Sequence, residues 1–176
     1  MMKLYMAVCA SLLFYSLAIA IDESWWLTET YEASELQIQG IPIANIDSAW
    51  VAAGVLRRDS LSSGAQHYLD SHEWTQGWSF SLEDDFNRDG FKDRTVVGIY
   101  RDKTGAAGTF VLILTHKKNG WSKAFLATEK NHPGFSMIKN GGQGLILWTH
   151  CFECDTVAEI YWDGKSYKLE YPSNGD

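Results

Sequence analysis

The chain has 176 residues, a formal charge of −7, 22 acidic against 15 basic side chains, and 14 % aromatic residues, eight of them Trp. That acidity excludes nucleic acid and anionic lipid as partners, since both demand a basic surface. The length suits one domain with a sizeable core.

Residues 1–20 read as a secretory signal peptide. Met1-Met2-Lys3 is a short positive start, Leu4 to Leu17 is apolar, and Ala18-Ile19-Ala20 is a small-x-small cleavage pattern. Polar Asp22, Glu23 and Ser24 follow at once. The apolar run is too short to span a bilayer comfortably, and Cys9 lies inside it. The expectation is a secreted or periplasmic protein, not inserted in a membrane after signal removal, with residues 21–176 forming one β-rich domain. Residues 1–20 hold one charged side chain, Lys3, so the mature part carries a formal charge of −8.

The segment from Ile21 to about Ile46 is irregular, with Gly40 and Pro42 interrupting any helix. Asp47-Ser48 caps a run, Ala49 to Ala53, that fits either a short helix or a buried strand. Leu61 to Leu69 predicts a helix capped by Ser60 or Ser62, with Leu61, Ala65, Tyr68 and Leu69 on one face. After Trp74 the period becomes two: Trp78, Phe80 and Leu82 alternate with Ser79, Ser81 and Glu83, as in a half-buried strand. Further strands are predicted over Arg94–Arg101, Thr109–Thr115, Trp121–Ala127, Phe135–Lys139, Gly144–Thr149, Thr156–Trp162 and Ser166–Tyr171. Turns are placed at Asp102–Gly105, Asn119-Gly120, Asn140-Gly141-Gly142 and Asp163-Gly164. The fold class is mainly β (β-rich α+β): an antiparallel meander of about seven or eight strands behind a short mixed or helical N-terminal region.

The segment with chemistry in it is Asp85-Phe86-Asn87-Arg88-Asp89-Gly90-Phe91-Lys92-Asp93, a D-x-N-x-D-G-x-x-D loop. Calcium takes about six to eight oxygens at about 2.3–2.6 Å, which a tight loop with oxygen donors at alternate positions can supply. Asp85, Asn87, Asp89 and Asp93 would give side-chain oxygens and Phe91 its carbonyl, with Gly90 at the sharp turn. An EF-hand would close with a bidentate Glu where Val96 stands, and its flanks would be helices, so that motif is rejected. The alternative is a solvated acidic turn without metal.

Leu82 to Tyr100, the loop with its following apolar strand Thr95-Val96-Val97-Gly98-Ile99-Tyr100, resembles the FG-GAP or VCBS-type calcium motif of integrin-α-like proteins. The loop occurs once, whereas a propeller repeats it from blade to blade. The resemblance implies a structural calcium ion that ties a hairpin together beside a protein-binding face.

Cys151 and Cys154, in His150-Cys-Phe-Glu-Cys-Asp155, are the cysteines that survive signal removal. In an exported chain they read as a small structural disulfide. A zinc site with His150 or His132 and a reactive redox pair are the alternatives. The five histidines, His67, His72, His116, His132 and His150, form no recognised catalytic or metal spacing, and no nucleophile motif or phosphate-binding loop is present. Glu83-Asp84-Asp85 could serve glycoside chemistry, but their place at the start of the loop favours ligation or solvation. The reading is therefore a non-enzymatic, calcium-binding exported module that binds or inhibits another extracytoplasmic protein, for example a periplasmic immunity protein. A glycan-binding accessory domain that exposes Trp25, Trp26, Trp74 and Trp78, or an unrecognised hydrolase, is the alternative, and a C-x-x-C redox protein the third.

Overall fold

A computed structural model describes residues 24–118, 120–130, 134–154 and 157–172. The leader, Asn119, His132 and Thr156 lie outside the described residues. The fold is β-rich and antiparallel throughout. Its elements are α1 (Trp25–Thr28), β1 (Gln37–Ile38), β2 (Ile41–Pro42), α2 (Ile43–Ile46), β3 (Trp50–Val55), α3 (Ser63–Ser71), β4 (Trp78–Ser79), β5 (Ser81–Asp84), β6 (Asp93–Asp102), β7 (Ala107–Lys117), β8 (Gly120–Lys130), β9 (Met137–Gly142), β10 (Leu145–Thr149), β11 (Ala158–Trp162) and β12 (Tyr167–Glu170).

Two five-stranded sheets carry the fold. In the first, β3 and β5 share one edge of β6, and β7 and β8 follow on its other side. The second runs β12-β11-β10-β9-β4. The predicted meander is therefore two consecutive meanders, β5 to β8 and β9 to β12. Phe80 is the corner between them: Ser79 pairs with Ile138 in the second sheet, and Ser81 pairs with Val96 in the first. The Phe80 carbonyl accepts the Val97 N–H at 3.1 Å, and the Ser79 hydroxyl donates to the Ser81 carbonyl at 2.7 Å, which fixes the bend.

The first sheet is apolar on both faces. Val97, Val111 and Ile113 point toward Ile138, Ile146, Trp148 and Ile160 of the second sheet, forming the main core. Their alternates Val96, Tyr100, Phe110, Leu112 and Leu114 meet Ile38, Ile43, Ile46 and Trp50 of the N-terminal segment. Strands buried on both faces lose the apolar–polar alternation and read as continuous apolar runs, as Phe110 to Leu114 does. The run Ala49–Ala53 becomes β3 rather than a helix, because Trp50 stacks on Tyr100 with ring centroids 4.8 Å apart. The helix prediction is met by α3, whose cap is Ser62, accepting the Ala65 N–H at 3.2 Å.

One turn differs from its expected place. Asn140-Gly141-Gly142 stays in β9, and the reversal falls on Gln143 and Gly144, both left-handed at φ 53° and 84°. That pair of conformations suits a two-residue hairpin whose twist matches its strands.

Gly98 marks a point of very close packing in the first sheet. A Cβ there would stand 2.2 Å from the Gly54 carbonyl oxygen and 2.5 Å from the Phe110 ring. Since overpacking a filled core costs about 1–3 kcal/mol and occasionally more, Gly98→Ala is expected to lower the melting temperature by roughly 5 °C or more. An unchanged thermal transition by circular dichroism would contradict this packing.

Candidate functional site

Strands β5 and β6 pair through Asp84 opposite Asp93, and the Asp85–Asp93 loop is the connection between them. Its polar side chains first organise the loop itself. The Asp85 carboxylate accepts the N–H groups of Asp89 and Gly90 at 3.0 and 2.9 Å. The Asn87 side-chain oxygen accepts the Asp89 N–H, and Asp89 in turn accepts the Phe91 N–H, each at 2.9 Å. The Asn87 amide donates to Asp89 at 3.0 Å. Arg88 at φ 60° and Gly90 at φ 89° supply the left-handed turns. Phe86 points inward and is buried, whereas Phe91 is 61 % exposed.

The loop is also tied to the second sheet. The Arg88 guanidinium donates to the Gln143 carbonyl at 2.8 Å across the β9–β10 turn. Asn140 donates to Asp84 at 2.9 Å. Between loop and turn lies a cleft of about 860 Å³, lined by Arg88, Leu145, Tyr161 and Trp162 among others.

Asp93 differs from the other acids of the loop. It is fully buried, and Tyr167 of β12 donates a 2.7 Å hydrogen bond to its Oδ2. Its Oδ1 is buried and makes no hydrogen bond of good geometry, although the Thr115 hydroxyl and the Asn87 N–H act on the carboxyl. Burial, the largest influence, pushes its carboxyl above the ordinary carboxylate range; the Tyr167 and Thr115 hydroxyls and the Asn87 N–H oppose that, and the Asp89 charge adds to it. Burial and Asp93 push the Tyr167 hydroxyl upward too, with smaller contributions from the Asp89 and Asp85 charges.

An orphaned, buried carboxylate oxygen is costly unless something pairs with it. A hard cation would do so. The donors present fit one: carboxylates from Asp85, Asp89 and Asp93, the Asn87 amide oxygen and the Phe91 carbonyl are the oxygen types that calcium takes. An oxygen already accepting one N–H keeps a second lone pair. Among the described residues no three acidic, His or Cys side chains are gathered as a ready metal cluster. A site here would be a mixed set that includes amide and main-chain oxygens.

The other sequence-marked groups are engaged elsewhere. Glu83 pairs with Arg94, and Asp84 accepts the Asp85 N–H at 2.8 Å. Cys151 and Cys154 stand at disulfide distance, their Cα atoms 5.5 Å apart. Phe152 between them packs on Trp26 and Trp74, at 5.5 and 4.9 Å between ring centroids. Trp25 and Trp26 are core residues, so they line no open groove; Trp74 is 45 % exposed. His72 meets the Tyr68 carbonyl, and His150 pairs with Glu129 at 3.3 Å. Sequence reasoning missed Tyr167, which lies 74 residues from Asp93 and carries no local signal.

No protein-family model matches the chain, and comparisons with curated proteins and with solved structures find no match.

Tyr167→Phe removes the donor that holds the buried Asp93 carboxylate. Hydrogen bonds to charged groups contribute about 1.5–3 kcal/mol, so the variant is expected to melt roughly 5 °C lower. A transition within a degree of the parent protein would mean that this pair does not anchor the loop.

Proposed function

We propose that this protein is an exported, non-enzymatic β domain that binds another extracytoplasmic protein, as a binding or inhibitor module, and that calcium in the Asp85–Asp93 loop stiffens the face it uses. The observation that carries the reading is the buried Asp93 Oδ1, which makes no hydrogen bond of good geometry, at the base of a loop that holds Phe91 in solvent. An ion bridging that oxygen to Asp85, Asn87 and Asp89 would compensate a buried charge and fix the loop in one step. An exposed aromatic on a fixed loop, with Arg88 two residues from Asp89's other neighbour, Gly90, supplies the residue types that dominate protein interfaces. Ordering the loop before the partner arrives lowers the entropic cost of association.

Export rests on the leader-like residues 1–20, and no helix among the described residues is long and apolar enough to cross a membrane. The acidic surface favours a basic partner, whose approach it would steer. Buried Trp25 and Trp26 weaken the glycan-binding alternative, because a stacking platform needs exposed rings.

Two measurements test this reading. At calcium concentrations about a hundred-fold above the dissociation constant, stabilisation of about 2.7 kcal/mol follows from mass action. That corresponds to a rise of roughly 5–10 °C over the chelated protein. Asp89→Ala and Asp93→Asn should abolish the difference, and identical transitions in calcium and chelator would end the metal assignment. For the partner, the immobilised protein is expected to retain one extracytoplasmic protein stoichiometrically, with an association rate that falls steeply as salt is raised. Phe91→Ala should weaken that complex by at least ten-fold; a salt-independent rate would remove electrostatic steering from the reading.

A further inference from the structure

A second site lies where the edge of β6 changes partner. β3 covers Gly98 to Asp102, β5 covers Asp93 to Val96, and between them Val97 bonds to Leu56 and Phe80. The gap opens into a cleft of about 470 Å³, within the size range of small-molecule sites, about 300–1,000 Å³. Its floor is apolar: Leu56, Phe80, Val96 and Met137 are buried beneath it, and half-buried Trp78 stands at its side. Its rim is basic. Three of the five arginines in the chain, Arg57, Arg58 and Arg94, line it, against one acid, Glu83. Each is ion-paired, Arg57 with Glu35, Arg58 with Asp70 and Arg94 with Glu83, so the rim offers guanidinium donors rather than a surplus of charge.

The arginines are held but not used up. Arg94 is fixed by Glu83, by Gln39 at 2.6 Å and by stacking over Trp121 at 5.1 Å. Arg57 reaches Glu35 at 3.0 Å through one nitrogen, and Arg58 donates from one nitrogen to Asp70 and to the Gln66 carbonyl, the latter at 3.2 Å. Both side chains are half-exposed or more, at 58 % and 50 %. Exposed ion pairs of this kind are worth about 0–1 kcal/mol, so an incoming anion can displace or share them. A guanidinium offers a planar fork of donors that matches a carboxylate.

We propose that this cleft binds a small amphiphilic carboxylate, its acid group on Arg57 and Arg58 and its apolar body on the Leu56–Phe80–Met137 floor. A neutral ligand could not compete with Glu35 and Asp70 for the guanidinium donors, and a small inorganic anion would leave the floor wet. The site is independent of calcium and of the protein partner proposed above, so its test can fail while that reading stands.

The test is calorimetric titration of the purified protein, in chelator and low salt, with octanoate and with octanamide as a neutral analogue of equal length. Octanoate is expected to bind saturably at one per chain, with octanamide at least ten-fold weaker. Arg57→Gln/Arg58→Gln should weaken octanoate at least ten-fold with an unchanged thermal transition, since both side chains are exposed. Ser81→Glu, which puts a negative charge on the exposed rim, should do the same and serves if the double variant does not fold. Absence of saturable binding, equal affinity for octanamide, or full affinity in a folded variant of either kind would overturn the proposal.

Discussion

Burial of β6 and β7 on both faces is the constraint from which the other features follow. One face of Val97, Val111 and Ile113 is the ceiling of the main core; the other, Phe110, Leu112 and Leu114, is covered by Ile38, Ile43, Ile46 and Trp50. At about 1.5–3 kcal/mol for each large side chain fully buried, neither face can be left open. The second sheet and the N-terminal segment are therefore both obligatory layers. Gly98 and Gly108 allow this thickness, since a Cβ at either would run into a carbonyl oxygen of the neighbouring strand.

That burial reaches into the loop. Asp93 is the first residue of β6, so the strand that builds the core begins with a carboxylate inside the protein. A residue at this position can serve the loop or the sheet, and Asp93 serves both. Its Oδ2 is bound from the second sheet by Tyr167, and its Oδ1 is buried and makes no hydrogen bond of good geometry. Replacing it with an apolar residue would suit the sheet and cost the loop its deepest donor. A charged group in a strand otherwise selected for burial is the kind of local inconsistency that marks function.

Much of this was legible in the sequence, and what was not has physical causes. The run Thr109 to Thr115 announced a central strand because burial on both faces removes alternation. The D-x-N-x-D-G spacing announced the loop because side-chain-to-backbone hydrogen bonds there are local. The corner at Phe80 was invisible, since a strand that crosses between sheets keeps its period of two. The β9–β10 reversal was placed early because Asn-Gly-Gly is the stronger turn signal, yet Leu145 packs against Gly141, and the bulge at Leu145/Ile146 moves the reversal onto Gln143-Gly144. Tyr167, Arg88 on Gln143 and the arginine rim depend on residues tens of positions apart. No window of sequence holds them together.

The short strand β5 shows how the two sites are joined physically. It has four residues, pairs only with β6, and turns its other edge away from the sheet, so its own ladder holds it weakly. Its last two residues are pinned by side chains instead. Glu83 grips Arg94, and Asp84 accepts from Asn140 of β9. Toward the chain start, Ser81 and Phe80 form a wall of the arginine cleft; toward the chain end, Asp84 leads directly into Asp85 and the loop. Each site lies where regular pairing stops, because only there does a β sandwich leave donors and apolar surface unclaimed. The cleft sits at the break in pairing beside Val97 and the oxygen-rich loop at the hairpin end, so the four residues of β5 are all that separates them.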